Sequence, residues 1–350
     1  MTSDDGKNGS GEDRLIARHF APLATHPGAL GLSDDVAVMT PPDDCELVLE
    51  TDAIVAGMHF FADDSPAAIA RKALRINLSD LAAKGARPLG FLLSLALPRR
   101  PGRAAPDAAA AAVAVDDAWL AAFAAALGED ATAYGCPLYG GDTVASPGPV
   151  MISVTVIGAV PTGTLVKRSG ARPGDRVLVT GTIGDAALGL VLRMERAGAE
   201  DFGLTAAERD HLLSRYLEPR PRTALAEAVR THATAGMDVS DGLAGDLAKL
   251  CRVSGVTARV EVGHVPLSGA AHRLLDAAPE HLAAVLSGGD DYEILCTVPP
   301  EQLASFTAAA EAVGVPVTDI GEIFEGQGAP VLLGPDGHPL ALDRASFSHF

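Results

Sequence analysis

Arg176-Val177-Leu178-Val179-Thr180-Gly181-Thr182-Ile183-Gly184 sets the reading of the chain. Arg176 to Thr180 is short, apolar and rich in β-branched residues, as a buried strand should be, and the Gly181 to Gly184 turn leads into a helical pattern. Downstream, helices fit Pro221 to Ala233 and Gly242 to Val253, and strands fit Arg259 to Val262 and Tyr292 to Val298. Upstream, Glu46 to Leu49 reads as a strand ending in Thr51 and Asp52. Pro66 opens a helix to about Lys84 with Ser65 as N-cap. Phe91 to Leu97 reads as a strand buried on both faces, Trp119 to Leu127 as an amphipathic helix, and Val150 to Ile157 as a further strand.

Strands thus alternate with helices in both halves, the pattern of an α/β or α+β fold with mixed sheets packed against helices. At 350 residues the chain exceeds the usual single-domain size. The turn Pro161-Thr162-Gly163 marks a boundary, giving a disordered tail over 1–12, an N-terminal domain over 13–160 and a C-terminal domain over 161–350. The alanine-rich stretch Arg99 to Val115 reads as a helical extension or insertion without a site.

Acidic residues number 45 against 27 basic ones, a net charge of −18 that opposes nonspecific attachment to nucleic acid or anionic membranes. The same field repels a polyanion such as ATP, so a bound nucleotide requires cations at its phosphates. Four widely spaced cysteines, Cys45, Cys136, Cys251 and Cys296, form no C-x-x-C pair and read as buried, reduced thiols. No apolar run is long enough to span a bilayer and no targeting segment is evident, so a cytoplasmic protein is expected.

The P-loop, dinucleotide-binding, protein-kinase, zincin and nucleophile-elbow signatures are all absent. What remains is a series of aspartates beside small residues at expected element ends: Asp34-Asp35, Asp52, Asp80, Asp142, Asp238 with Asp241, and Asp290-Asp291. Dispersed carboxylates suit hard cations such as magnesium, although any one of them can equally cap a turn. Helical spacing places Leu74, Leu78 and Leu81 on one face and Asn77, Asp80 and Lys84 on another, and the small residues Ala82, Ala83 and Gly85 allow another segment to approach. Asp238-Val239-Ser240-Asp241-Gly242 sits where a helix begins, an end that attracts phosphate, and Gly181 to Gly184 has a similar position. Arg168 is a candidate phosphate clamp and His59 a candidate for substrate binding or acid-base work, a structural histidine being the alternative. Tyr134 and Phe347 can stack on rings or simply pack.

Taken in order, these words resemble the thiamine-monophosphate kinase family. The resemblance rests on Gly31-Leu32-Ser33-Asp34-Asp35, Thr51-Asp52, Gly57-Met58-His59-Phe60, Asn77 to Gly85 and Gly140-Gly141-Asp142-Thr143. It continues through Lys167 to Asp175, Val179 to Thr182, Asp238 to Leu243, Ser287 to Glu293 and the terminal Ser348-His349-Phe350, nearly the whole chain after the tail. It implies a two-domain fold shared with aminoimidazole ribonucleotide synthetase, a homodimer, and direct in-line transfer of the ATP γ-phosphoryl group to thiamine monophosphate. Carried over by motif, Asp35, Thr51, Asp52, Asp80, Asp142, Asp238 and Asp241 would serve several magnesium ions; Tyr134, Gly141, Asp142, Arg168 and Ser240 would contact ATP; His59, Asp290 and Phe347 would contact the thiamine substrate. No residue is implied as a general base. Glu50 stands where the family has a small hydroxyl residue, Asp290 where it has glutamate, and Phe347 where it has tryptophan or tyrosine. Among ATP-using relatives of this fold, a selenophosphate synthetase would carry a reactive cysteine in an N-terminal glycine-rich loop and a hydrogenase maturation protein a terminal cysteine; here the first cysteine is Cys45 and the last residue Phe350. A noncatalytic acidic metal-binding or scaffold protein is the reading from a different class.

Overall fold

The computed structural model describes residues 11–98, 113–194, 202–342 and 346. Most of the alanine-rich stretch (99–112) and Phe347 therefore lie outside the described residues. The described chain forms two compact units, one of residues up to Asn77 with Pro88–Ala159, the other of Leu78–Arg87 with the residues from Val160 onward.

The described part of the first unit opens with a helical turn, α1 (Gly11–Leu15), whose first two residues fall in the stretch read as a tail. Its sheet comprises β1 (Cys45–Val55), β2 (Arg87–Pro98), β3 (Leu138–Ser146) and β4 (Met151–Pro161), in the order β1-β4-β2-β3 with β2 and β3 parallel. The helices are α2 (Pro66–Ala83), whose last turn belongs to the second unit, and α3 (Asp117–Ala133). Both start where a side chain accepts from an otherwise unpaired amide: Ser65 Oγ from Ala68 N at 3.1 Å, and Asp116 Oδ1 from Trp119 N at 2.8 Å.

Strand β1 continues through Thr51 and Asp52 instead of ending there, and Thr51 Oγ1 donates to the Val154 carbonyl on β4. β2 is not buried on both faces. Leu93 and Leu95 are buried, as are Ile152, Val154 and Val156 on β4. Leu92, Leu47, Leu49, Val144 and Met151 remain exposed. The sheet thus has an open, partly apolar face.

The second unit is built on β5 (Arg176–Thr180), β6 (Ala235–Asp238), β7 (Val256–Glu261), β8 (Ile294–Val298), β9 (Val317–Glu325) and β10 (Val331–Leu333). Their order is β10-β7-β9-β5-β8-β6; β10 and β7 are parallel and the remaining neighbours antiparallel. Around it lie α4 (Asp185–Met194), α5 (Ala206–Leu217), α6 (Ala226–His232), α7 (Leu243–Ser254), α8 (Gly269–Ala277), α9 (Leu282–Ser287) and α10 (Leu303–Ala312). Period-two alternation feeds two cores. Val177, Val179, Met237 and Ile320 pack with Leu243 and Leu247 of α7, whereas Leu178, Ile294 and Cys296 pack with Val229 of α6 and Phe306 of α10.

In the first unit, Arg75 on α2 grips Asp130 on α3 through two bonds, Nε to Oδ2 at 2.6 Å and Nη2 to Oδ1 at 2.8 Å. Asp130 is buried, so removing the arginine leaves a carboxylate that water cannot fully solvate. Arg75→Met is expected to cost about 3 kcal/mol, read as a lowered midpoint in urea denaturation.

Candidate functional site

In the first unit a cavity of about 660 Å³ opens where β2, β3 and β4 meet the segment around Asp34 and Asp35. Asp35, Gly141 and Asp142 line it together, with Phe20 and Tyr139 supplying aromatic surface. Gly140 and Gly141 do not end an element, contrary to the expectation for this motif; they lie inside β3, opposite Leu92 and Leu93. A Cβ on Gly141 would sit on the Leu93 carbonyl oxygen. The glycine therefore allows close strand pairing and leaves bare backbone on the cavity floor.

Glu50 and Asp52 bring carboxylate oxygens within 4.8 Å of each other on β1. Two-residue spacing puts them on one strand face, a periodicity that could have nominated Glu50 from sequence. Asn77, fully buried on α2, accepts from the Asp52 amide at 3.0 Å and donates to the Ala73 carbonyl, which fixes that part of β1. Asp80 follows Asn77 by three residues on the same helix. The Glu50–Asp52 pair, an all-oxygen donor set, fits magnesium. His59 Nδ1 accepts from Val55 N at 3.1 Å, which leaves the proton of the neutral ring on Nε2. Tyr134 does not line the cavity; it ends α3 with its ring 5.9 Å from the Arg75 guanidinium.

In the second unit the Asp238 to Gly242 and Gly288 to Glu293 segments meet. Asp290 N donates to Ser240 O and Tyr292 N to Val239 O, each at 2.9 Å, while a Cβ on Gly289 would strike the Ser240 carbonyl. Asp290 and Tyr292 adopt left-handed backbone, with φ of 63° and 51°, which delays β8 to Ile294 instead of Tyr292. Ser79 of α2, fully buried, lies 3.4 Å from the Tyr292 carbonyl.

The start of α7 is not capped by Ser240 or Asp241. Asp246, buried one turn inside, accepts from both their amides, and Lys249 bridges Asp246 and Asp241. A cation at Asp241 would compete with the Lys249 ammonium. Gly181 to Gly184 is likewise no anion cradle. The Gly181 and Ile183 amides bind the Pro316 and Pro266 carbonyls, and Gly184 N donates to both Asp291 oxygens at 2.9 Å. Lys84 donates to the Gly236 carbonyl of β6, so it serves the fold. Arg168 stays exposed on the segment before β5, and Asp238 is buried at the end of β6.

Asp291 and Glu293 form a buried polar centre; the sequence reading set Asp291 among the candidate cation-holding aspartates and gave Glu293 no role. Glu293 accepts from Arg215 at 2.8 Å, from Arg222 and from Thr180 Oγ1 at 2.7 Å. Burial pushes the Asp291 carboxyl well above the usual range, while the Gly184 amide and Arg215 oppose that rise. Their signal was acidic residues placed immediately before an apolar strand. Burial also pushes the Cys136 and Cys296 thiols up to about 12 and Cys251 up to about 11, so none of the three is a thiolate at neutral pH. Cys45 is only partly buried.

A four-stranded sheet in one unit and a six-stranded mixed sheet packed with helices in the other define a class. The chain matches the AIR synthase related protein N-terminal domain over residues 33–160 and the corresponding C-terminal domain over residues 172–333. A thiamine-monophosphate kinase of Caulobacter vibrioides is 42% identical over 317 residues, covering 89% of this chain and 84% of the relative. The crystal structure of thiamine-monophosphate kinase from Stenotrophomonas maltophilia K279a is 35% identical, with a TM-score of 0.78 over 94% of this chain and 96% of that one. AaThiL complexed with AMPPCP and TMP is 30% identical, with a TM-score of 0.72 over 91% of each chain. The chain belongs to the thiamine-monophosphate kinase family.

Gly141→Ala is expected to force β3 away from β2 and lower stability by about 2 kcal/mol, visible as a reduced thermal midpoint.

Proposed function

We propose that this protein is a thiamine-monophosphate kinase, transferring the γ-phosphoryl group of ATP to thiamine monophosphate to yield thiamine diphosphate and ADP. The observation that carries the reading is the gathering of Asp35, Gly141 and Asp142 at one cavity in a chain of this family. A substrate phosphate oxygen bonds to the γ-phosphorus as the bond from that phosphorus to the bridging oxygen breaks, and the electron pair leaves with ADP. A phosphate monoester, with its second pKa near 6, is largely dianionic at neutral pH. No general base is needed, and none is assigned.

Asp35, Thr51, Asp52, Asp80, Asp142, Asp238 and Asp241 are the proposed magnesium-holding residues, and the Glu50–Asp52 pair on β1 extends the set to Glu50. Magnesium, when bound, neutralises the phosphates that would otherwise repel one another. Tyr134, Gly141, Asp142, Arg168 and Ser240 are assigned to ATP. The Ser240 hydroxyl and Arg168 guanidinium donate to phosphate oxygens. His59 donates from Nε2 to the substrate phosphate, Asp290 sets its carboxylate against the cationic thiamine moiety, and Phe347 stacks on it.

We also propose a cytoplasmic homodimer active in thiamine biosynthesis. Leu47, Leu49, Val144 and Met151, exposed on one sheet, supply apolar surface for a second copy. No described helix is long and apolar enough to cross a membrane.

Purified protein incubated with magnesium, ATP and thiamine monophosphate is expected to form thiamine diphosphate; a well-folded preparation that forms none refutes the kinase. Asp52→Asn is expected to lower kcat by about 100-fold or more with the fold intact. For Glu50→Gln the thermal midpoint is read with and without magnesium. The rise in that midpoint on adding magnesium should shrink.

A further inference from the structure

The segment Gly288-Gly289-Asp290-Asp291-Tyr292-Glu293 carries two left-handed non-glycine residues, Asp290 and Tyr292, separated by one position. Such a conformation is disfavoured for a residue with a side chain and persists where its surroundings over-determine it. Here the backbone is pinned from outside by Ser240 and Val239 and from within by the two acidic side chains that point inward. The Asp291 carboxylate receives the Gly184 amide, and its carbonyl receives Arg215 Nη2 at 3.1 Å. The same Arg215 nitrogen reaches Glu293, so one guanidinium ties the segment at two points either side of Tyr292. Arg222 and Thr180 complete the grip on Glu293.

This arrangement is poorly optimised for stability. Glu293 is a buried carboxylate, and Asp291 a buried acid whose carboxyl is pushed up by burial and by an acidic neighbourhood that includes Asp185. Arg215 Nη1 is buried without a hydrogen-bond partner among the described residues. Apolar residues of similar volume often hold a core as well as a buried ion pair does, without the desolvation cost. Holding one strained backbone in a single conformation accounts for what is retained.

We propose that Arg215 and Asp291 are positioning residues for substrate recognition: from beneath the segment they hold Asp290 in the left-handed conformation in which its carboxylate meets the thiamine moiety. The inference rests on the assignment of Asp290 to the substrate in the proposed kinase. Asp290 would act on a part of the substrate remote from the transferred phosphoryl group, so its displacement weakens binding of ground state and transition state alike. That raises KM and leaves kcat nearly unchanged.

Arg215→Met, Arg215→Lys and Asp291→Asn test it. Glu293 keeps Arg222 and Thr180 in each of them, so the buried carboxylate is never left alone. In Arg215→Met, KM for thiamine monophosphate is expected to rise about 10-fold or more, with kcat and KM for ATP within about twofold of the unmodified enzyme. Arg215→Lys, which restores the charge and one donor, should recover part of the loss, and Asp291→Asn should behave as Arg215→Met does. Hydrogen exchange of the 288–293 amides should quicken in the same order. A merely structural pair would lower the thermal midpoint yet leave KM for thiamine monophosphate in the folded enzyme unmoved, and that result overturns the proposal. If Arg215→Met fails to fold, Asp291→Asn and Arg215→Lys decide it by the same constants. Unmodified enzyme that makes no thiamine diphosphate removes the kinase reading itself, and with it the proposal. A normal unmodified enzyme with unaltered variants removes the positioning role alone.

Discussion

Glu293 is a carboxylate with no exposure to water, held between the guanidinium groups of Arg215 and Arg222 and by the Thr180 hydroxyl. A charge so placed is tolerated only when its partners are fixed, and its partners come from separate elements. Thr180 ends β5, Arg215 lies in α5, and Arg222 precedes α6. Thr180 also accepts from the Ile294 amide at 2.8 Å, so one hydroxyl serves both the carboxylate and the start of β8. The ends of three elements in the second unit are thereby mutually located, and the Asp290 segment inherits its position from them.

A similar economy governs the other acidic residues. The chain carries a net charge of −18, and several of its buried carboxylates have dedicated partners. Asp130 is answered by Arg75 in two bonds, and Asp246 by two amides and Lys249. Glu50 and Asp52 face each other as like charges, an arrangement that a divalent cation would relieve. Aspartates that look alike in sequence therefore divide into structural acceptors, such as Asp246 and Asp291, and carboxylates set close together as a cation requires.

Much of the architecture could be read from periodicity. β5 was legible residue for residue because an isolated apolar run bounded by glycine has one reading. The Pro66 helix was legible because Ser65 and Pro66 mark its start by chemistry that needs no tertiary context. β6 and β10 were not, being short segments stabilised by neighbours distant in sequence. The extension of β1 through Asp52 was missed because polar residues in a strand signal nothing until the adjacent strand supplies their partners.

The sequence by itself determined that the chain alternates strands and helices, that its aspartates recur beside small residues, and that their order is that of one kinase family. Those properties depend on local spacing and residue type, which the chain carries whatever its conformation. Only the tertiary structure decided which carboxylates gather at the cavity, that Glu50 joins Asp52, and that Asp291 and Glu293 turn inward behind Asp290. It also showed that the Gly181, Ile183 and Gly184 amides are committed to the fold. Burial and hydrogen-bond satisfaction depend on groups far apart in the chain, and a short motif contains no record of which of its donors the rest of the molecule will consume.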